Sequence, residues 1–326
     1  MSDLFQLLRP WEAYNIVGHV RPDGDCIGSE VALCEVIGAL GKRCYIIRND
    51  AIAPNFASFF HGMPIVSTDK MDSSLPLICV DCSDFSRVGQ AVKSAYGEVF
   101  LNIDHHISNA NFALNNIVNS SAASTTEILA ELLIENNFTI TKKIADALYL
   151  GIVTDTGSFA YDSTSLKTFQ IAEMLVKLGT KPYKIYALAY ENNTLQRYRL
   201  LERLLKNIEI FGDGRLCLSF VTELDFKETG ATAFDTEGLV NYTRELEGVL
   251  IGCFLEVRNN SVKCSLRAVD RSLRVDLLAS TFGGGGHPCA AGFLRVNISA
   301  KNFIGDLKVA LCEHMKKFYE GYHASI

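Results

Sequence analysis

The chain repeatedly places acidic and imidazole side chains directly after short apolar runs. His19, Asp23 and Asp25 follow the first such run, and Asp81, the triplet Asp104-His105-His106 and Asp155 follow later ones. In a parallel sheet the carboxyl ends of the strands meet at one edge, so residues that follow the strands are brought together. Carboxylate and imidazole groups are the ligands that divalent cations bind in proteins. The pattern therefore predicts an α/β fold with a metal centre at a sheet edge.

The order of the predicted elements indicates two domains, as the length of 326 residues also suggests. Apolar runs alternate with helical patterns in the first half, which is typical of βαβ units and a parallel sheet covered by helices. Two hairpins and further helices follow Ile208 and predict a smaller, mixed-sheet α/β domain. We expect a catalytic domain over 1–190, a helical linker over 191–207 and a substrate domain over 208–326.

Several classes of protein are disfavoured by composition. The net charge of -6 argues against a broad basic surface for long duplex nucleic acid. No apolar run is long enough to span a bilayer, and the N-terminus lacks a signal-peptide pattern. The ten cysteines are scattered, and Cys79 and Cys82 form an isolated CxxC pair that no second pair extends into a zinc ribbon. Thiol redox chemistry at this pair stays a minor alternative, and we expect a soluble, cytoplasmic, reduced protein.

The number of carboxylates predicts more than one bound ion. An aspartate or histidine after a strand commonly caps a helix or fills a turn, so any one of these residues could be structural. Crowded together, the carboxylates would repel one another unless cations neutralised them. The set is large enough for two divalent ions that share a carboxylate, an arrangement used in phosphoryl displacement. The ligand types suit two Mn²⁺ ions per chain, with Mg²⁺ or Co²⁺ as alternatives.

A glycine run near the C-terminus is a candidate anion site. Glycines 283–286 precede His287, and backbone N–H groups of such a loop can bind phosphate. A flexible connector would be the simpler interpretation of the glycines alone, but His287 and the small residues 290–292 favour a compact loop against a ligand. Arg267, at the end of a predicted strand, is the best candidate for a second phosphate contact. We therefore predict that substrate is bound by Arg267, Gly284, Gly285, Gly286 and His287.

Together these motifs resemble the DHH phosphoesterase superfamily. The resemblance lies in H-x-x-P-D-x-D-x-x-G-S from His19 to Ser29, in Asp81, in Asp104-His105-His106 and in the Thr154–Gly157 turn. The run Gly283 to Gly292 resembles the associated C-terminal DHHA1 substrate domain. The motifs cover nearly the whole chain in the expected order. The resemblance implies that the active site lies in the cleft between the two domains.

Residue roles follow from the resemblance position by position. One metal would be held by His19, Asp23 and Asp81, and the other by Asp25, Asp81, His105 and Asp155, with Asp81 bridging. Asp104 would orient a ligand from outside the coordination sphere. His106 would face the phosphate that is cleaved. Catalytic roles are thus expected for His106 and Asp104.

The resemblance implies hydrolysis of a phosphoester by water activated at two metals. Within the superfamily, the length and the glycine loop favour the oligoribonuclease and 3′-phosphoadenosine-5′-phosphate (pAp) phosphatase group. The expected substrates are short oligoribonucleotides, linear dinucleotides such as pApA and pGpG, and pAp. An exopolyphosphatase or a manganese pyrophosphatase-like hydrolase is the alternative, and a non-catalytic nucleotide-binding regulator is a more distant one. Assembly as a homodimer is left open by the sequence.

Overall fold

The computed structural model describes residues 4–48 and 50–323, which form an α/β protein. The chain divides into two compact units, residues 1–192 and 193–326. The predicted fold class, a helix-covered parallel sheet followed by a mixed sheet, is confirmed. No helix in the described residues is both long and apolar enough to cross a membrane.

The first unit is built on a six-stranded, all-parallel sheet in the order β3-β2-β1-β4-β5-β6. The central strands are buried along their whole length, as expected for a parallel sheet covered on both faces. The strands are β1 (Ala13–Val17), β2 (Arg43–Arg48), β3 (Ile65–Ser67), β4 (Leu77–Val80), β5 (Leu101–Asp104) and β6 (Asn115–Val118).

Helices cover both faces of this sheet. One face packs in the main core with α2, α4 and α5, and the other packs in a smaller core that includes Val92 of α3. The close packing of α2 on α5 depends on small residues: a Cβ at Gly28 would lie 2.3 Å from the carbonyl oxygen of Ala147. The helices are α1 (Leu4–Leu7), α2 (Gly24–Ala39), α3 (Gln90–Ala95), α4 (Thr125–Glu135), α5 (Lys142–Asp155), α6 (Leu166–Lys177) and α7 (Pro182–Tyr186).

The second unit contains a mixed six-stranded sheet in the order β11-β12-β10-β9-β8-β7. The β8–β9 pair is parallel and the other pairs are antiparallel. The strands are β7 (Glu209–Phe211), β8 (Leu216–Thr222), β9 (Ile251–Arg258), β10 (Ser261–Ala268), β11 (Gly285–His287) and β12 (Ala290–Val296). The helices are α8 (Leu195–Lys206), α9 (Glu223–Thr229), α10 (Asn241–Arg244), α11 (Val275–Thr281) and α12 (Ala300–His323).

Two segments of the second unit add detail to the sequence interpretation. The helix expected within the 191–207 linker is α8, and its Leu200 and Leu204 are buried with Val221 and Phe254 of the sheet. The glycine run is only partly a loop, because its last glycines enter β11 and pair with β12 in a tight hairpin. The periodicity did not reveal this hairpin because its strands are short and rich in glycine and alanine.

Candidate metal centre

The carboxyl edge of the parallel sheet collects the predicted metal ligands of the first unit. His19 follows β1, Asp81 follows β4 and Asp104 ends β5, and these three strands are neighbours in the sheet. All three side chains are buried. Asp25 lies in the first turn of α2, and Asp155 is the last residue of α5. The fold thus brings together residues that are up to 136 positions apart in the sequence (His19 to Asp155).

Asp81 is at the centre of the cluster. Its Oδ2 lies 3.4 Å from His19 Nε2, and its Oδ1 lies 3.7 Å from His105 Nε2 and 3.6 Å from His106 Nδ1. The two carboxylate oxygens therefore contact different histidines. Asp81 has φ of 56°, in the left-handed region that a non-glycine residue rarely adopts. This arrangement suits a carboxylate that bridges two ions.

His19 and Asp23 are oriented by local hydrogen bonds. Asp23 is the N-cap of α2, and its Oδ1 accepts hydrogen bonds from the backbone N–H groups of Asp25 and Cys26. Its Oδ2 lies 3.7 Å from His19 Nε2. His19 Nδ1 lies 2.9 Å from the carbonyl oxygen of Val20, which favours the tautomer with a proton on Nδ1. Nε2 is then the ring nitrogen suited to bind a metal.

The other side of Asp81 is formed by Asp25, His105 and Asp155. His105 Nε2 lies 3.0 Å from Asp155 Oδ2. Asp25, Asp81 and His105 each offer a ligand atom, and these atoms lie within 4.8 Å of one another. Asp25 is fully buried and is held by the N-terminus of α4, where the backbone N–H groups of Thr125 and Thr126 donate to its two oxygens at 2.7 and 2.9 Å.

Asp104 and His106 form a pair beside the cluster. His106 Nδ1 lies 2.7 Å from Asp104 Oδ1, and the side chain of Asn109 donates a hydrogen bond to Asp104 Oδ2. Burial acts to raise the pKa of Asp104, but the interactions with His106 and Asn109 outweigh it and lower the pKa to about 2. Asp104 is therefore a carboxylate that holds His106 in one orientation.

The electrostatics of the cluster fit divalent cations. Burial, assisted by the charges of Asp155 and Asp81, raises the pKa of Asp25 well above its usual range. Burial also raises the pKa of Asp155 to about 6, against the opposing effect of His105. Both shifts arise because ionised carboxylates are crowded in a buried site, and bound cations would remove that repulsion. Carboxylates and imidazoles together form a donor set that divalent cations bind in proteins.

Sequence reasoning missed a buried ion pair behind His19. The Gly18 N–H donates to Glu30 Oε1 at 2.8 Å, and Glu30 pairs with Arg48 at the end of β2. Glu30 is fully buried, and Arg48 is nearly so. The pair fixes the backbone that carries His19. An acidic residue on the apolar face of α2 was the available signal, because a charge at such a position requires a partner.

The predicted substrate-binding residues lie together in the second unit. In the strand register Arg267 of β10 pairs with Ala290 of β12, which in turn pairs with His287 of β11. Directly paired residues share a sheet face, so Arg267 and His287 stand on the same face on either side of Ala290. A Cβ at Gly284 would lie 2.2 Å from the Gly292 carbonyl oxygen. Gly286 has φ of 143°, and a Cβ there would lie 2.4 Å from the Ala290 carbonyl oxygen, so these glycines allow the tight hairpin.

Comparisons with known proteins agree with this geometry. Residues 14–152 match the family described as DHH family, N-terminal domain. The bifunctional oligoribonuclease and PAP phosphatase NrnA of Thermus thermophilus is 31% identical over 284 residues, which are 85% of this chain and 82% of that protein. The protein of the same name from Bacillus subtilis is 25% identical over 317 residues, or 96% of this chain and 99% of that protein.

A solved structure matches nearly the whole length of the chain. The crystal structure of an exopolyphosphatase-related protein from Bacteroides fragilis matches with a TM-score of 0.85 at 25% identity, and the match covers 97% of this chain and 96% of that one. The relative from Thermus thermophilus is similar over most of its own length. The protein is therefore a member of the DHH phosphoesterase superfamily and a phosphoester hydrolase.

Proposed function

We propose that the protein is a metal-dependent phosphodiesterase and phosphatase that hydrolyses short oligoribonucleotides and linear dinucleotides to 5′-mononucleotides, and pAp to AMP. The observation that carries the proposal is the convergence of His19, Asp81 and His105 at one sheet edge. The two relatives named as bifunctional oligoribonuclease and PAP phosphatase support the substrate class. The proposal includes a catalytic domain over 1–190, a linker over 191–207 and a DHHA1 substrate domain over 208–326, in a cytoplasmic protein.

In this proposal two divalent ions, preferably Mn²⁺, are the cofactors. When bound, such ions offset negative charge on phosphate oxygens and lower the pKa of water. The residues that would hold them are those implied by the family resemblance, with Asp81 shared between the two ions. The proposed ligands are His19, Asp23, Asp25, Asp81, His105 and Asp155.

His106 is the proposed contact to the phosphate that is cleaved. Its Nδ1 is held at 2.7 Å by the carboxylate of Asp104, which favours a proton on Nδ1. Nε2 is then the ring atom that would contact the phosphate. Asp104, fully buried and ionised, keeps the imidazole from rotating and so reduces the cost of ordering it when substrate binds.

The second unit is proposed to bind the far end of the substrate. Arg267 and His287 share a sheet face, and both are partly exposed. A guanidinium suits a terminal phosphate because it can donate two parallel hydrogen bonds. The glycine hairpin from Gly284 to Gly286 would bring backbone N–H groups close to the same ligand. Recognition of both ends favours short substrates and needs no extended basic surface.

An exopolyphosphatase is the second candidate. The structure with the TM-score of 0.85 is named as exopolyphosphatase-related, and the same ligands could serve cleavage of a phosphoanhydride. A non-catalytic nucleotide-binding regulator is the third. The set of metal ligands argues against it because a regulator would have no need of so many buried carboxylates.

An assay of mononucleotide release tests the proposal. We expect pApA, pGpG and pAp to be hydrolysed with Mn²⁺ and not after chelation, and polyphosphate and pyrophosphate to be hydrolysed much more slowly. Arg267→Ala should raise KM for the dinucleotide about tenfold or more, because a charged hydrogen bond is lost. Arg295→Ala, at an exposed position of β12, is the matched control and should leave KM unchanged. Faster turnover of polyphosphate would favour the second candidate, and no turnover of any substrate would favour the third.

A further inference from the structure

The first turn of α4 contacts two of the carboxylates in the metal centre. Thr126 donates its hydroxyl to Asp25 Oδ1 at 2.7 Å, in addition to the backbone N–H bond at 2.9 Å. The neighbouring residue, Thr125, donates its backbone N–H to Asp25 Oδ2 at 2.7 Å and its hydroxyl to Asp81 Oδ1 at 3.2 Å. Both threonines are fully buried. Two adjacent residues therefore position carboxylates that lie about a hundred and about forty residues away in the sequence.

The direction of each hydrogen bond can be assigned from donor counting. Metal binding requires the ionised form of Asp25, which only accepts, so in that form the single hydroxyl proton of Thr126 is used on Asp25. Ser124 Oγ lies 2.8 Å from Thr126 Oγ1 and must then be the donor in that pair. Ser124 is the N-cap of α4 and accepts the N–H of Glu127. The result is a continuous series of hydrogen bonds from the N-cap through Thr126 to Asp25.

The surrounding helices pack closely around this series of hydrogen bonds. A Cβ at Gly151 of α5 would lie 2.3 Å from Thr126 Oγ1 and 2.4 Å from Asp25 Oδ1. The contact between the hydroxyl and the carboxylate is thus enclosed by α2, α4 and α5. Asp25 receives three donors in total, one on Oδ2 and two on Oδ1. A carboxylate has about four acceptor positions, two on each oxygen, so the one remaining position is on Oδ2.

We propose that Thr125 and Thr126 are positioning residues of the metal centre, which orient Asp81 and Asp25 for ion binding and leave Asp25 to bind through Oδ2 alone. This inference rests on the proposed function, since it assumes that these carboxylates bind metal. Groups that hydrogen-bond to metal ligands commonly change metal affinity 10–100-fold when they are removed.

The test compares isosteric variants by calorimetric titration with Mn²⁺. Thr126→Val keeps the branched shape but removes the hydroxyl, and should weaken Mn²⁺ binding about tenfold or more. Thr126→Ser restores the donor and should restore the affinity to within about threefold. Thr125→Val should weaken binding through Asp81 in the same way. Thr180→Val is the control, because Thr180 is buried three positions beyond α6 and its hydroxyl has no hydrogen-bond partner among the described residues, so the affinity should be unchanged.

The outcomes separate the two proposals. If the wild-type protein binds Mn²⁺ and Thr126→Val binds it equally well, the positioning role is wrong and the proposed function stands. If Thr126→Val and Thr126→Ser are weakened alike while both keep the thermal unfolding midpoint of the wild type, the hydroxyl is not the cause and the inference also fails. If the wild-type protein binds no divalent ion, the metal-dependent function itself is wrong.

Discussion

Asp81 combines a central position among the proposed metal ligands with an unusual backbone conformation. Its φ of 56° places it in the left-handed region, where asparagine and aspartate are tolerated better than other side chains. Non-glycine residues in such conformations cost about 1–3 kcal/mol each and persist where surrounding structure holds them. Here the Asp81 N–H donates to the Ile103 carbonyl at 2.9 Å, which ties the residue to β5. Backbone strain and the proposed bridging role therefore coincide at this position.

Asp81→Asn separates the charge from the backbone conformation. Asparagine accepts the left-handed conformation, so we expect the metal-free variant to be as stable as the wild type, or more stable because repulsion among the carboxylates is relieved. The affinity for Mn²⁺ and the rate of hydrolysis should both fall more than about 100-fold. This loss exceeds the roughly 10–100-fold effect of removing a group that only hydrogen-bonds to a metal ligand. Thermal unfolding without metal and calorimetric titration measure the two effects. Wild-type affinity in this variant would contradict the bridging role.

Metal binding should release protons near neutral pH. Burial raises the pKa of Asp155 to about 6 and also raises that of Asp25, so part of the metal-free population carries a proton on a ligand. A cation must displace this proton, and the affinity for Mn²⁺ should therefore fall as pH drops through about 6. Calorimetric titrations in two buffers with different ionisation enthalpies measure the proton release. Identical apparent enthalpies in both buffers would contradict this expectation.

At the scale of elements, the site depends on the packing of α2 against α4 and α5. Glycine at positions 28 and 151 lets these helices approach closely, and a Cβ at either position would clash within about 2.5 Å. This close approach places Asp25 against the N-terminus of α4, where N–H groups that have no partner within the helix favour a negative charge. The geometry of the candidate metal centre is thus determined by helix packing as well as by the strand ends.

Gly151→Ala tests this dependence. The added methyl group would displace Thr126 or Asp25, and should destabilise the protein by about 1–3 kcal/mol and weaken Mn²⁺ binding. Gly38→Ala is the matched control, since nothing lies within 4 Å of a Cβ at this position of α2. It should be neutral or stabilising by up to about 1 kcal/mol. Chemical denaturation and metal titration of both variants provide the comparison, and equal behaviour of the two would refute the packing argument.

At the scale of the whole molecule, the two units carry different chemistry. The first collects carboxylates and imidazoles at the edge of a parallel sheet, and the second presents Arg267 and His287 on a mixed sheet. The net charge of -6 is compatible with this division, because the positive charge needed for a phosphate would come from bound ions and from few side chains.

The sequence predicts the regular parts of this molecule well. The sequence predicts strands from Arg43 to Arg48 and from Leu77 to Val80, and β2 and β4 have these bounds. The run Ser124-Thr125-Thr126-Glu127 has the spacing of a capping box, and Ser124 is the N-cap of α4. Both signals are local, since strand periodicity and capping involve residues only a few positions apart.

The parts that the sequence did not predict depend on distant contacts. The bond from Thr126 to Asp25 joins residues 101 positions apart, and nothing local distinguishes it from ordinary capping. The pair of Glu30 and Arg48 has the same character. The strand β6 was missed because Asn115–Val118 has only two apolar residues. In each case the role of the residue depends on a partner that is distant in the sequence, and the residues next to it in the chain do not reveal that partner.

The row of Arg267, Ala290 and His287 has a length that side-chain substitutions cannot alter. Neighbouring strands lie about 4.8 Å apart, so the backbones at the two ends of the row are separated by about 10 Å. This spacing is determined by backbone hydrogen bonds and would change only if the strands slipped in register. If Arg267 and His287 bind substrate as proposed, a substitution at either end would change the preferred ligand, while the distance between the two backbones would stay the same.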